Sequence, residues 1–397
     1  MIERTEYLKR LMSFKDKNII KVITGIRRCG KSTLLMQYTE SLRAQGIDDS
    51  KIVFINLESA RYDSIRDYKA LYQLIESRID GKGKHYIFLD EVQNVDKFEK
   101  AVESLSIDYD TDIYITGSNA YMLSSELATL LSGRYVEIFV QPLSFKEYYS
   151  VWQGHDKEKI FYQYMKYGGF PFIAAETDEM IINNYLDGIY NTVVLKDIIK
   201  RNDVKDITGL ENILKTVMSS IGGLISANSL ARELKSSGRS SSNETVERYL
   251  AMFCNAFILS NALRYNIRGK AYMKTLSKYY VCDLGLRNNV LGYRQIDVTH
   301  ALENLVYLEL VRRGYKVDIG KVNETEIDFI ARKQGEIEYY QVSFTVNNSP
   351  DTLNREIRPF DAIEDHYKKI LITMDKDFVS DINGIRKLYA VDWFMES

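Results

Sequence analysis

Gly25-Ile26-Arg27-Arg28-Cys29-Gly30-Lys31-Ser32 sets two glycines, a lysine and a hydroxyl at the spacing G-x-x-x-x-G-K-S/T. That spacing suits a triphosphate. Glycines let backbone amides curl around phosphate oxygens without Cβ clashes. A helix opening at this point would turn its N-terminal partial charge toward the anion. Lys31 would reach the β- and γ-phosphates of ATP, and the Ser32 hydroxyl would ligate Mg2+. The expected phosphate-binding set is Gly25, Arg27, Arg28, Cys29, Gly30, Lys31, Ser32 and Thr33. One of Arg27 and Arg28 would touch phosphate and the other pair with an acid, and the sequence leaves open which. A purely structural glycine turn is the alternative.

A second motif argues against that alternative. The apolar run His85-Tyr86-Ile87-Phe88-Leu89 ends in Asp90-Glu91, the Walker B pattern. Asp90 would hold Mg2+ through its water shell, and Glu91 would orient or deprotonate the attacking water. The strand-like Asp112-Ile113-Tyr114-Ile115-Thr116 leads to Gly117-Ser118-Asn119. Ser118 is read either as a contact to the γ-phosphate or water, or as a turn cap. Arg134 precedes another strand-like run. It is read either as a cation for transition-state charge, in cis or from a neighbouring subunit, or as a surface ion pair.

These residues need strands and helices to bring them together. Strands are predicted at 19–24, 51–57, 85–89, 112–116 and 135–140, and a helix over 32–42. Short apolar strands alternating with helical stretches predict a parallel sheet covered on both faces. In such a sheet, ligands sit beyond the carboxyl ends of the strands. Asp90 and Glu91 should therefore come near Lys31. Residues 146–205 read as a helical lid, with a turn at Gly168-Gly169-Phe170-Pro171. Residues 206–290 read as a winged helix: helices at 225–234 and 244–259, then a hairpin at 262–266 and 278–281. Residues 298–397 form a last unit, with a helix over 302–313. Its strands are predicted at 316–319, 326–331, 338–343, 369–373 and 388–391, with a polar stretch before 369.

Several segments carry a family resemblance: Gly-Ile-Arg-Arg-Cys-Gly-Lys-Ser at 25–32, Leu-Asp-Glu-Val-Gln at 89–93, Thr-Gly-Ser-Asn at 116–119, Leu-Ser-Gly-Arg-Tyr at 131–135, Pro-Leu-Ser-Phe-Lys-Glu-Tyr at 142–148 and Tyr-Gly-Gly-Phe-Pro at 167–171. Together they resemble the prokaryotic AAA-superfamily P-loop ATPases that carry a winged helix and a C-terminal PD-(D/E)xK nuclease-like domain. The resemblance implies an α/β AAA core over 1–145 and a restriction-endonuclease-like fold over 298–397. It gives Lys31, Asp90, Glu91 and Ser118 the Walker and sensor roles and makes Arg134 the finger candidate. It also implies a metal site of clustered carboxylates and a lysine in the last domain. Glu303 and Asp328 match the carboxylates. Gln341-Val342-Ser343 stands where Glu-x-Lys is expected, and Ser343 supplies no cation. Lys321 or Lys333 could stand in for it. The expected remnant is Glu303, Asp328 and Gln341, on a fold that has lost cutting activity.

Between Lys205 and Lys274, ten bases face five acids. Arg264, Arg268 and Lys270 fall on the expected wing, where they would meet the phosphates of duplex DNA. A winged helix packed on protein is the alternative. Over the whole 397 residues the formal net charge is −2, so no global field favours nucleic acid or membrane. The three cysteines, Cys29, Cys254 and Cys282, lack metal-ligand spacing, which predicts reduced thiols and a cytoplasmic protein. No apolar run approaches a membrane span. The leading expectation is an ATP-driven switch or remodeller with an unidentified protein partner, able to form homo-oligomers. The alternatives are a DNA-binding regulator gated by ATP and an ATP-controlled nuclease.

Overall fold

The computed structural model describes residues 2–118, 133–200, 202–236, 242–293, 297–347, 349–377 and 380–396. Asn119, Leu131 and Ser132 of the sequence motifs and Arg239 of the basic stretch lie outside them, as does the side chain of Lys274. The chain divides into two compact units: residues 1–142 with 255–257, and residues 143–254 with 258–397.

The first unit is built on β1 (Ile20–Thr24), β2 (Ile52–Asn56), β3 (His85–Asp90), β4 (Thr111–Gly117) and β5 (Tyr135–Phe139). All pairings are parallel and the order is β2-β3-β4-β1-β5. Every residue of β1 and β3 is buried, as expected for strands covered on both faces. The helices are α1 (Thr5–Ser13), α2 (Lys31–Ala44), α3 (Tyr68–Glu76) and α4 (Phe98–Asp108). Leu71, Ile75, Val102 and Leu105 share one apolar core with Val22, Ile55, Ile87, Leu89, Ile113 and Ile115. Tyr38 of α2 packs on Tyr114, whose ring stacks on Phe88 at 4.8 Å. Beside these rings lies a buried ion pair, Lys21 with Asp112, whose side chains are 0% and 1% exposed.

In the second unit, α5 (Phe145–Tyr149), α6 (Lys157–Tyr167) and α7 (Glu179–Asn191) come first. Then follow α8 (Ile207–Ser219), β6 (Leu224–Ile225), α9 (Ala227–Ser236), α10 (Asn243–Asn255), β7 (Leu259–Asn266) and β8 (Ala271–Val281). The helix expected to reach residue 259 stops at Asn255, and Phe257 takes a positive φ of 57°. The chain continues through α11 (Leu284–Leu291), α12 (Val298–Arg312), β9 (Lys316–Val322), β10 (Thr325–Lys333), β11 (Glu336–Ser343), α13 (Pro350–Asp361), β12 (Lys368–Thr373), β13 (Asp381–Ile382), β14 (Ile385–Tyr389) and α14 (Ala390–Met395). The stretch read as polar thus contains α13. Its sequence says so locally, since the Ser349 hydroxyl accepts from Thr352 N at 3.2 Å and Pro350 takes the first turn. Ala390 and Val391, expected in the last strand, begin α14.

The hairpin β7–β8 does not stand apart. β7 pairs with β9 in parallel, which joins β13-β14-β12-β11-β10-β9-β7-β8-β6 into one sheet. Hairpin and C-terminal strands, expected in separate modules, share hydrogen-bonded backbone. Periodicity cannot foresee this, because pairing between distant strands leaves no local mark.

Gly168 and Gly169 have a physical reason. Asp283 accepts from Gly169 N at 2.6 Å and from Leu286 N at 3.0 Å, capping α11. A Cβ on Gly168, at φ +80°, would lie 2.0 Å from the Asp283 carboxylate. Burial pushes the Asp283 carboxyl up to about 6, against the amides that hold it down. A raised acid means the folded state binds more protons than the unfolded one, so stability falls as pH rises from about 4 to about 6. Relative to Asp283→Asn, the parent is expected to lose about 2 kcal/mol between pH 4 and pH 7. Urea unfolding across that range checks it; a difference independent of pH refutes the assignment.

Candidate functional site

The loop after β1 curls where the sheet ends. Gly25 has φ +148°, Arg28 +68° and Gly30 +103°. A Cβ on Gly25 would lie 2.1 Å from the Val140 carbonyl oxygen, so glycine is required there. Gly30 then caps the N-terminus of α2. Lys31 is 4% exposed, and its ammonium donates to the carbonyls of Gly25 at 3.0 Å and Ile26 at 3.3 Å.

The strand order decides what joins this loop. β4 lies between β1 and β3, so its carboxyl end sits between Lys31 and the two acids. Ser118, just past β4, donates to both oxygens of Glu91, at 2.7 and 2.6 Å. Glu91 Oε1 is also 3.8 Å from Lys31 Nζ. Lys31, Glu91 and Ser118 thus meet at one point. Asp90 is fully buried, and the Thr116 hydroxyl donates to its Oδ1 at 2.6 Å while accepting from Glu91 N at 2.9 Å. Thr116 therefore ties both acids to β4.

The two carboxyls are driven apart electrostatically. Burial pushes Asp90 up, with Thr116 and Ser32 only partly offsetting it. Burial also opposes the Glu91 anion, but Lys31, Ser118 and Gln93 outweigh it and hold this carboxyl below its usual range. Glu91 is thus kept ionised and able to accept a proton. Its backbone is left-handed, φ 54°, which turns the side chain out of the strand direction toward the loop.

Asp90 Oδ2 is buried without a hydrogen-bond partner among the described residues, and the Ser32 side chain lies close enough to favour its anion. An oxygen pair of this kind fits a hard divalent cation such as Mg2+. Bound there, Mg2+ would neutralise charge on the β- and γ-phosphates.

Of the loop arginines, Arg27 pairs with Glu58 at 3.0 Å. Arg28 is exposed. Cys29 is buried, which pushes its thiol up, and Thr33 is half-buried on the first turn of α2. Arg134 is exposed, and its carbonyl accepts from Ile20 N at 2.9 Å. That places it at the amino end of β1, about 15 Å of strand away from the loop. The reading of Arg134 as a cation acting in cis is therefore corrected: parallel pairing of β5 with β1 puts it at the opposite sheet edge.

Thr116, Gln93 and Arg4 were not foreseen from the sequence. The guanidinium of Arg4, 2% exposed, donates to the carbonyls of Cys29 at 2.9 Å and Gln141 at 2.8 Å, bracing the loop from behind. Nothing in the spacing of Arg4 signals this. Thr116 was readable as the polar exit of a strand beside Ser118.

In the second unit Glu303 and Asp328 do converge, but around a lysine that was not foreseen, while Gln341 accepts from Asp328 N. Lys278 Nζ lies 3.0 Å from Glu303, 2.9 Å from Glu326 and 3.6 Å from Asp328. Lys321 pairs with Glu324 and Lys333 donates to the Arg313 carbonyl, so neither stands in the cluster. Arg264, expected on the wing surface, is corrected as well. It is 7% exposed and faces Glu326 at 3.9 Å, because β7 is an interior strand. Arg268 is exposed and pairs with Glu364 at 3.1 Å; Lys270 is exposed in the turn. Cys29, Cys254 and Cys282 form no disulfide among the described residues. No helix among the described residues is long and apolar enough to cross a membrane.

Residues 17–149 match a family model described as an AAA domain, and residues 158–297 match one described as a domain of unknown function. The chain is 43% identical over 401 residues to an uncharacterized protein of Haemophilus influenzae, covering 100% of this chain and 99% of that one. It is 31% identical over 375 residues to an uncharacterized protein of Methanocaldococcus jannaschii, covering 88% of this chain and 79% of that one. Among solved structures it is similar to a Walker-type ATPase of Pyrococcus abyssi, with a TM-score of 0.52 and 14% identity, covering 73% of this chain and 96% of that one. That likeness speaks to the fold. This chain belongs to the family of the Haemophilus and Methanocaldococcus proteins, and its first unit is an AAA-superfamily P-loop ATPase domain.

Proposed function

We propose that this protein is an ATP-driven switch or remodeller. In this reading the loop Gly25–Thr33 cradles the phosphates and Lys31 leaves the carbonyls of Gly25 and Ile26 for the β- and γ-phosphates. Ser32 and Asp90 would hold Mg2+, Glu91 takes the proton of the attacking water, and Ser118 orients Glu91. One observation carries the reading: the buried Glu91 carboxyl is held by Ser118 and lies 3.8 Å from Lys31. The second unit would respond to the nucleotide, with a lid at 146–205, a winged helix at 206–290 and a nuclease-like fold at 298–397. The order of α8, β6, α9, α10, β7 and β8, with β6 and β7 flanking β8, supports the winged helix.

Arg134, exposed at the far edge of the sheet, serves the site of a neighbouring copy. Arg134→Ala is expected to lower ATP turnover about a thousandfold. Mixing Arg134→Ala with Glu91→Gln chains, each slow alone, should restore turnover, because intact sites then form between copies. No recovery on mixing refutes the trans assignment. The same turnover assay, run with and without duplex DNA on a sample of known mass, tests the DNA-gated reading. That reading is favoured by exposed Arg248 on α10 and exposed Lys270 in the turn; equal turnover and no salt-dependent binding remove it.

A further inference from the structure

The carboxylates of the second unit converge as a metal site would, yet an ammonium already sits among them. Lys278 comes from β8, Glu303 from α12, and Glu326 and Asp328 from β10. Glu303 Oε1 receives Lys278 at 3.0 Å and the Tyr280 hydroxyl at 2.7 Å. Its Oε2 faces His300 Nδ1 at 3.6 Å, and Gly222 closes over it, since a Cβ there would lie 2.8 Å away. Asp328 Oδ1 faces Lys278 at 3.6 Å, while Oδ2 accepts from Val342 N at 2.9 Å. Glu326 Oε1 faces Lys278 at 2.9 Å and Oε2 faces Arg264 at 3.9 Å. Gln341, the weak remaining ligand, accepts from Asp328 N at 2.9 Å through its side-chain amide oxygen.

Each carboxylate oxygen therefore has a donor or a cation, and the cluster is closed. The side chains of Lys278 and Glu303 are 5% and 6% exposed, and that of Asp328 is 15% exposed. Among the described residues, no three or more His, Cys, Asp or Glu side chains are placed to hold a metal ion. A divalent cation could enter only by expelling the ammonium, which would then be buried without a partner.

We infer that Lys278 is a built-in cation that takes the place of the divalent metal at Glu303, Glu326 and Asp328, so that this site binds no metal and instead fastens the β7–β8 hairpin to α12 and β10. Three lines agree. The ammonium sits among all three carboxylates, the strand that carries it belongs to the hairpin, and β7 and β9 continue the same sheet. Carboxylates buried around a cation need that cation for their own ionisation. A true metal site behaves in the opposite way. Its crowded acids repel one another in the apo state, and neutralising one of them stabilises the fold.

Two measurements on the full chain, free of nucleotide, separate these cases. Mn2+ binding followed by electron paramagnetic resonance is expected to show no site in the parent that Asp328→Asn removes. Lys278→Met, which leaves three acids without their cation, is expected to gain one Mn2+ per chain, lost again on adding Asp328→Asn. Glu303→Gln is expected to lower the melting temperature by about 10 °C, because it leaves the ammonium underpaired. This second readout stands even if Lys278→Met does not fold. The inference is overturned by Asp328-dependent Mn2+ binding or DNA cleavage in the parent, by a folded Lys278→Met chain that takes no Mn2+, or by a Glu303→Gln chain that melts higher.

Discussion

Glu91→Gln is expected to slow ATP turnover about a thousandfold while leaving ATP bound. Glutamine keeps the shape and can still hydrogen-bond Ser118, so the loop and its phosphate contacts should persist. It cannot accept a proton. In the parent, Lys31, Ser118 and Gln93 overcome burial and keep Glu91 ionised for that purpose. Lys31→Ala should give the contrary pattern. It removes the ammonium that now rests on the carbonyls of Gly25 and Ile26. Loss of a charge-assisted contact to phosphate should weaken ATP binding about a hundredfold. Equilibrium binding of a fluorescent ATP analogue, read beside phosphate release, distinguishes the two. A Glu91→Gln chain that turns over normally would remove Glu91 from the chemistry.

The second large effect concerns stability. Lys21 and Asp112 form an ion pair with almost no exposure, in the middle of the first unit. Lys21 also donates to the Lys17 carbonyl at 2.9 Å, and Asp112 accepts from Asp16 N at 2.8 Å and the Tyr114 hydroxyl at 2.9 Å. Burial pulls the Lys21 ammonium down, and Asp112 is what keeps it charged. Lys21→Met should therefore cost about 3–5 kcal/mol, because it strands a buried carboxylate. Lys21→Met with Asp112→Asn should recover much of that loss, since neither charge is then left alone. Denaturant midpoints of the single and double variants report the coupling. A single variant within about 1 kcal/mol of the parent would show that the pair is not what holds this region.

Chemistry confined to neighbouring residues is legible in the amino-acid sequence by itself. The spacing of Gly25, Gly30, Lys31 and Ser32 needs only a strand, a tight bend and a helix, all local events. The apolar run into Asp90-Glu91 likewise carries its own strand signal, and the five parallel strands follow from short runs buried on both faces. Tertiary structure decided what lies far apart along the chain. Strand order set Ser118 between Lys31 and Glu91, gave Thr116 its hold on both acids, and removed Arg134 from the site of its own chain. Arg4 reached the loop from the N-terminal segment, and Lys278 reached the acidic cluster from a hairpin expected to lie in another module. Local periodicity records which face a residue presents, while the identity of its partner across the sheet is written only in the pairing of strands.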